Sequence, residues 1–226
     1  MSGSASVSLV CCDLAGSIVS DGSVLEKAFA EAIATQGVVP GTAAYARSMV
    51  VVDRSSGLPP RDVMHTLFAD DEAQAQAAYL AFERSYRTVV DRFGLTTAAS
   101  VRDTLAKLSG AHLKVCVISG FSRPTSRLVL ERAGLSRAAD LTLCLDDAPR
   151  GFPWPDPVLT AVIRLGIGDV ASVAVVGDSE NAITAGRRAG ARTLIGIPGD
   201  RAAQRLRTAG ATHLINTIAE LPALLR

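Results

Sequence analysis

The feature that most constrains this chain is the alternation of short, continuously apolar runs with helical patterns. An uninterrupted apolar run predicts a strand buried on both faces, as in a parallel sheet covered by helices. The spacing of the helical patterns between these runs favours βαβ units in a doubly wound α/β sheet. The predicted strands are Val7–Cys12, Leu113–Ile118, Leu141–Leu145, Val173–Val176, Thr193–Ile197 and His213–Ile215. The predicted helices are Val101–Leu108, Thr125–Ala133, Pro157–Leu165, Ala182–Ala189, Arg201–Thr208 and Ile218–Leu225.

One long segment, residues 19–93, interrupts this alternation because it has helical patterns but no buried strand. Its helical patterns cover Ser23–Thr35, Arg61–Phe68 and Asp71–Phe93, separated by Gly37–Thr42 and Ser55–Pro60. Because the segment is inserted directly after the first predicted strand, we expect a helical cap over the carboxyl end of the sheet. The core would then consist of residues 1–18 and 94–226.

The composition predicts a small partner rather than a nucleic acid or a membrane. The 226 residues carry a net charge of +1, and only 4% are aromatic, so neither a large positive field nor a base-stacking platform is expected. No stretch approaches the roughly 20 apolar residues of a membrane span. The amino-terminal stretch lacks the basic region of a signal peptide, so we expect a cytoplasmic protein.

The cysteine pattern argues against a metal or redox site. All four cysteines lie in apolar, strand-like runs without C-x-x-C spacing, which is typical of buried, reduced thiols. His65, His112 and His213 are isolated from one another in sequence, so a zinc site is not expected. His65 is interpreted as a partly exposed structural histidine, and the alternative is that it faces the cleft.

Polar residues follow three of the predicted strands. Asp13 follows the first strand, Ser119 and Gly120 follow the second, and Asp178 follows the fourth. The loop before the helix at residues 157–165 holds Arg150. Because ligands bind outside the carboxyl ends of parallel strands, we expect these residues to converge. Carboxylates together with a substrate phosphate suit Mg²⁺, while a guanidinium and helix N–H groups suit the remaining phosphate oxygens.

This ordered set resembles the motifs of the haloacid dehalogenase superfamily, whose members share a Rossmann-like core and a mobile cap. The nearest likeness is to the phosphonoacetaldehyde hydrolase-like branch, in which the first motif runs Asp-x-Ala-Gly-Thr. Here it reads Asp13-Leu14-Ala15-Gly16-Ser17. The resemblance covers essentially the whole chain and implies a hydrolase whose cap selects a small anionic substrate.

The resemblance implies roles for individual residues. Asp13 would be the nucleophile that forms an aspartyl-phosphate, Ser119 would hold a phosphoryl oxygen with Gly120 beside it, and Arg150 would neutralise the phosphate. Ser17 replaces the threonine of the motif and would form a hydrogen bond within its loop. The alternatives are a helix cap for Ser119 and a solvated surface arginine for Arg150, whose loop departs from the usual Gly-Arg-Pro-x-Pro spacing.

The resemblance also implies a Mg²⁺ site made of Asp13, the backbone carbonyl of Ala15 and Asp178. The family pattern places a second acid four residues after Asp178, where this chain has Ala182. Glu180 is a candidate replacement, directly or through water. The alternative is that Glu180 is an ordinary solvent-facing charge.

Two departures from the family concern the chemistry itself. The superfamily's general acid and base lies two residues after the nucleophile, and here that position is Ala15. Because general acid–base catalysis contributes about 10²–10⁴-fold, we expect slow hydrolysis of ordinary phosphate esters. The phosphonatase branch tolerates this alanine because a cap lysine forms a Schiff base with the substrate. That position falls on Pro60 or Arg61, and the only cap lysine is Lys27, so we do not expect phosphonoacetaldehyde hydrolase activity.

Three functions remain open from the sequence. The first is a Mg²⁺-dependent hydrolase of a small phosphorylated or phosphonate metabolite, with Arg54 and Arg61 beside the cap loop as candidate substrate contacts. The second is a catalytically degenerate member that binds a ligand or a partner protein. The third is a metal-independent, dehalogenase-type hydrolase. A homodimer is expected, since the resemblance implies paired cap helices.

Overall fold

Six parallel strands form one sheet with helices on both faces in the computed structural model, which describes residues 6–20, 23–199 and 203–225. The strands are β1 (Leu9–Asp13), β2 (Lys114–Ile118), β3 (Leu141–Leu143), β4 (Val173–Gly177), β5 (Thr193–Gly196) and β6 (His213–Leu214). Their order across the sheet is β3-β2-β1-β4-β5-β6. The predicted doubly wound α/β fold is confirmed, and each predicted strand has a counterpart.

Ten α-helices are assigned in the described part of the chain. They are α1 (Val24–Ala34), α2 (Ala43–Arg54), α3 (Pro60–Leu67), α4 (Glu72–Phe93), α5 (Ser100–Gly110), α6 (Arg123–Arg132), α7 (Asp156–Arg164), α8 (Glu180–Ala189), α9 (Ala203–Ala209) and α10 (Leu221–Leu224). The predicted helix start at Arg201 lies outside the described residues. Within those residues, none of the helices is both long enough and apolar enough to cross a bilayer.

The central strand β1 explains why the apolar runs are continuous. Its residues are buried on both faces: Val10 and Cys12 pack into one hydrophobic cluster, and Leu9 and Cys11 pack into the other. All four cysteines are free and buried, as predicted. Burial raises the pKa of the Cys12 thiol, so this group stays protonated.

Helices α1 to α4 lie between β1 and α5 in sequence. Two linkers join this helical cap to the core side by side: Ser20 and Thr96 exchange backbone N–H···O hydrogen bonds of 2.9 Å in each direction. Helix α1 packs against α4, where the ring centroids of Phe29 and Phe82 lie 4.6 Å apart.

Helix α2 is not among the helical patterns predicted from the sequence. None of its residues is fully buried: its apolar stripe, Tyr45, Met49 and Val52, is only half-buried, and the exposed Val50 beside it blurs the periodicity. The helix begins instead at a local signal, the Thr42 side chain, which accepts a hydrogen bond from the Tyr45 N–H at 3.1 Å.

Candidate active site

A cavity of about 450 Å³ lies between the carboxyl ends of the central strands and the cap. Asp13, Ser119, Gly120, Arg150 and Asp178 all line it. The predicted convergence of these residues is therefore what the structure shows. Its cause is the parallel sheet, in which the carboxyl ends of β1, β2 and β4 lie at one edge.

Asp13 is the last residue of β1 and is 8% exposed. The chain turns sharply after it: the Gly16 N–H donates to the Val19 carbonyl at 2.8 Å, and Gly16 has a φ of +84°. A Cβ at Gly16 would lie 2.2 Å from Asp178 Oδ2. The Asp178 carboxylate therefore packs directly on the turn that follows Asp13, a contact that only glycine permits.

Ser119 follows β2 and is 4% exposed. Its Oγ accepts hydrogen bonds from the Phe121 N–H at 3.2 Å and from Ser126 Oγ at 2.8 Å. The cap of α6 is Ser122, whose Oγ accepts from the Thr125 N–H, so the helix-cap alternative for Ser119 is wrong. With both acceptor positions of its oxygen used, the Ser119 hydroxyl is left to donate its own proton. Sequence reasoning missed Ser126, because its role depends on this contact.

Arg150 lines the cavity, and its side chain is 51% exposed and paired with a carboxylate. Its Nε and Nη2 atoms lie 3.0 and 2.9 Å from the two carboxylate oxygens of Asp156. Its guanidinium also stacks on the Trp154 ring at 4.2 Å from the centroid. This bidentate pair and the aromatic face fix the plane of the guanidinium.

Four of the predicted site residues do not line the cavity. Ser17 Oγ is buried without a hydrogen-bond partner, so the expected bond within its loop is wrong; the turn closes through backbone groups instead. Arg54 is exposed at the end of α2, and Arg61 lies 3.5 Å from Asp146. Glu180 is 53% exposed and lies 4.0 Å from Arg205, as a solvent-facing charge does.

The cap lysine, Lys27, lies away from the cavity. Lys27 Nζ lies over the Phe93 ring at 4.4 Å from its centroid and does not line the cavity. Pro60 lines the cavity but has no amine, and Arg61 does not line it and lies 3.5 Å from Asp146. Among the residues that the structure describes, no lysine, histidine or tyrosine lines the cavity. No described side chain there can form a Schiff base.

The loop between α2 and α3 closes the cavity by resting on the core. The Ser56 carbonyl accepts a hydrogen bond from Asn181 Nδ2 at 2.7 Å. A Cβ at Gly57 would lie 2.2 Å from Ser179 Oγ, and a Cβ at Gly151 would lie 2.4 Å from Pro59 Cγ. The cap loop can therefore approach the core closely at two places: Gly57 of the cap loop lies against Ser179, and Pro59 of the cap loop lies against Gly151.

The residues present fit a magnesium ion. Within the described ranges, no group of three or more histidine, cysteine or acidic side chains could hold a metal by itself. Mg²⁺, however, is usually held by one or two carboxylates with waters and substrate phosphate. Asp13 and Asp178 supply two carboxylates to the cavity, and Ala15 also lines it.

Sequence comparisons relate this chain to known hydrolases. The family model for haloacid dehalogenase-like hydrolases matches residues 7–190. Phosphonoacetaldehyde hydrolase from Pseudomonas paraeruginosa (strain DSM 24068 / PA7) is 34% identical over 146 residues, which cover 54% of this chain and 53% of that protein. The enzyme of the same name from Pseudomonas aeruginosa (strain UCBPP-PA14) is 30% identical over 192 residues, covering 74% and 68%. This chain thus spans about half the length of the first relative and about two thirds of the second.

Solved structures share the fold at lower identity. A phosphonoacetaldehyde hydrolase-like protein from Oleispira antarctica has a TM-score of 0.82 at 19% identity, covering 98% of this chain and 92% of that one. A hydrolase from Pseudomonas syringae has a TM-score of 0.81 at 21% identity, covering 96% and 97%. The family match spans most of the chain and includes the turn after β1 and the loop after β4. The chain belongs to the haloacid dehalogenase-like hydrolase family.

Proposed function

We propose that this protein is a Mg²⁺-dependent hydrolase of a small phosphorylated or phosphonate metabolite, with Asp13 as its nucleophile. The observation that carries the proposal is the meeting of Asp13, Ser119 and Asp178 in one cavity beneath the cap. The family match and the relatives named phosphonoacetaldehyde hydrolase support hydrolysis at phosphorus.

The chain's own residues account for two steps. A carboxylate oxygen of Asp13 forms a bond to phosphorus while the bond to the leaving group breaks, and the electron pair departs with the leaving group. A water molecule then attacks the phosphorus, which releases phosphate and regenerates the Asp13 carboxylate. Throughout, the Ser119 hydroxyl donates to a phosphoryl oxygen, and Arg150 offsets the negative charge of the phosphate.

Asp13, Asp178 and the Ala15 carbonyl would hold the Mg²⁺. Bound there, the ion would keep Asp13 ionised and offset the repulsion between the carboxylates and the incoming phosphate. Asp178 is suited to this role because it packs against Gly16, three residues from the nucleophile.

The leaving group has to depart without a strong general acid. Ala15 occupies the position of the family's acid, and the cavity is lined by no described histidine, lysine or tyrosine. We therefore expect turnover to depend steeply on the acidity of the leaving group. Schiff-base chemistry of the phosphonatase kind requires a primary amine, and no described lysine lines the cavity.

Phosphate release from p-nitrophenyl phosphate, measured with Mg²⁺ and with a chelator, tests the proposal. We expect Asp13→Asn and the chelator each to abolish release. The matched control is Asp70→Asn, which makes the same change at an exposed cap residue and should leave release unchanged. Release that survives both the chelator and Asp13→Asn would overturn the proposal.

A second candidate, ligand binding without turnover, is favoured by the packing around Ala182. This residue is fully buried, and a Cβ at Gly177 would lie 2.4 Å from its own Cβ. A longer acidic side chain at position 182 would have to displace packed neighbours, in keeping with the absence of the second acid of the family pattern. Thermal stabilisation by Mg²⁺ and inorganic phosphate, with no release from any substrate, would select this candidate.

A further inference from the structure

We infer that the leaving group of the substrate is uncharged and rich in hydrocarbon, with no second acidic group. This inference rests on the proposed function and narrows it. The core end of the cavity binds the phosphoryl group, so the cap end surrounds the leaving group and selects it.

The cap contributes an apolar wall to this cavity. The wall comes from α1, α2, α3 and the loop before α3, so it surrounds the leaving group from several directions. Its members are Leu25, Phe29, Met49, Val52, Leu58 and Val63. The cap also contributes Ser55, Ser56, Glu26 and Asp53 to the lining. A hydroxyl placed against the six apolar side chains, away from these polar groups, would lose its hydrogen bonds to water, which weakens binding about fivefold or more.

The charges at the cap end oppose a second anion. In the described part of the cap, no lysine, arginine or histidine lines the cavity, whereas Glu26 and Asp53 do. Arg61 comes near but lies 3.5 Å from Asp146. A carboxylate or a second phosphate on the leaving group would therefore meet two like charges and an apolar wall.

The core does not supply the missing cation. Arg150 is the one basic side chain among the described residues that line the cavity. It is held by both oxygens of Asp156 and is needed for the phosphoryl group. A dianionic substrate would require a second basic group that the described lining does not contain.

A series of aryl phosphates tests the inference because alkyl substituents at the 4-position barely change the acidity of the phenol. We expect kcat/KM to rise about fourfold for each methylene from phenyl through 4-methylphenyl to 4-ethylphenyl phosphate, the gain typical of burying one methylene. The test compound is 4-carboxyphenyl phosphate, whose phenol is more acidic and leaves more easily. We expect its kcat/KM to be at least tenfold below that of 4-ethylphenyl phosphate despite this advantage.

A cation introduced on the wall should reverse that order. Val52→Lys places an ammonium on the cavity side of α2 and should raise kcat/KM for 4-carboxyphenyl phosphate about tenfold relative to 4-ethylphenyl phosphate. The control is Val50→Lys on the same helix, because Val50 is 49% exposed and does not line the cavity. It should leave the ratio unchanged. If a variant fails to fold, the substrate series measured on the unmodified protein still tests the inference.

The outcomes separate this inference from the proposed function. A flat alkyl series, or 4-carboxyphenyl phosphate as the better substrate, would overturn the inference while leaving phosphate release and its dependence on Asp13 intact. No release from p-nitrophenyl phosphate or from any member of the series in the presence of Mg²⁺ would overturn the proposed function, and the inference with it. Release from p-nitrophenyl phosphate alone would overturn the inference only, because the apolar wall would then give the alkylphenyl esters no advantage.

Discussion

Gly57 offers a sharp test of how the cap loop meets the core. Its φ is +79°, and a Cβ there would lie 2.2 Å from Ser179 Oγ and 2.6 Å from Ser179 Cβ. Ser179 Oγ is already committed as the cap of α8, where it accepts a hydrogen bond from the Ala182 N–H at 3.2 Å. Gly57→Ala therefore forces either the cap loop or the helix cap to move.

Two costs add up in this variant. A non-glycine residue in the left-handed region costs about 1–2 kcal/mol, and loss of a helix cap costs about 1 kcal/mol more. The matched control is Gly37→Ala in the same cap, because Gly37 has a φ of +83° and nothing within 4 Å of its Cβ. Gly37→Ala therefore loses only the free energy of the unfavourable backbone conformation and keeps every helix cap. For a chain of this size we expect Tm to fall about 2–4 °C further in Gly57→Ala than in Gly37→Ala.

Thermal unfolding and steady-state kinetics on p-nitrophenyl phosphate measure the two effects together. Because displacement of about 1 Å near reacting groups can cost about 100-fold, we expect kcat/KM to fall at least tenfold in Gly57→Ala. Gly37→Ala should retain wild-type kinetics. Equal Tm values and equal kcat/KM for the two variants would refute the docked position of the loop.

Three further changes address the chemistry and the stability of the core. Ala15→Asp restores the missing acid and should raise kcat for phenyl phosphate at least about tenfold, with little effect on p-nitrophenyl phosphate, whose leaving group needs no proton. Asp178→Asn should raise the Mg²⁺ concentration needed for half-maximal phosphate release at least about tenfold, since one of the two proposed carboxylate ligands is lost. Burial raises the pKa of Asp147, but hydrogen bonds from a backbone N–H, Arg164 and Arg123 outweigh it, so its pKa lies below the usual value. That stabilisation is present above the ordinary carboxyl pKa and is lost as pH falls toward the folded-state pKa. Asp147→Asn should therefore flatten the acid side of the stability–pH curve measured by denaturant unfolding.

Much of the fold could be predicted because the core strands are buried on both faces, and this burial leaves a continuous apolar run in the sequence. In β1, Leu9, Val10, Cys11 and Cys12 are all buried, so the sequence carries an apolar run with no alternation. In a parallel sheet the carboxyl ends of neighbouring strands lie at the same edge, so the residues that follow those strands are expected to lie close together. Asp13, Ser119 and Asp178 could be placed in one site for that reason.

The residues that were missed or misplaced depend on tertiary contacts with no sequence signal of their own. Ser126 matters only because its hydroxyl, on the first turn of α6, donates to Ser119 Oγ in the loop after β2. Arg61 was expected to meet the substrate, but Asp146, which is distant in sequence, engages it. Glu180 has the right chemistry for a metal ligand, yet it lies exposed at the start of α8.

The central claim is that Asp13 forms the bond to phosphorus, and one measurement addresses it directly. The protein is mixed with excess p-nitrophenyl phosphate and Mg²⁺, quenched in acid, and digested for mass spectrometry. We expect the peptide containing Asp13 to gain the mass of one phosphoryl group, and we expect no gain in Asp13→Asn. Steady phosphate release with no phosphorylated Asp13 peptide, or with release intact in Asp13→Asn, would contradict the account.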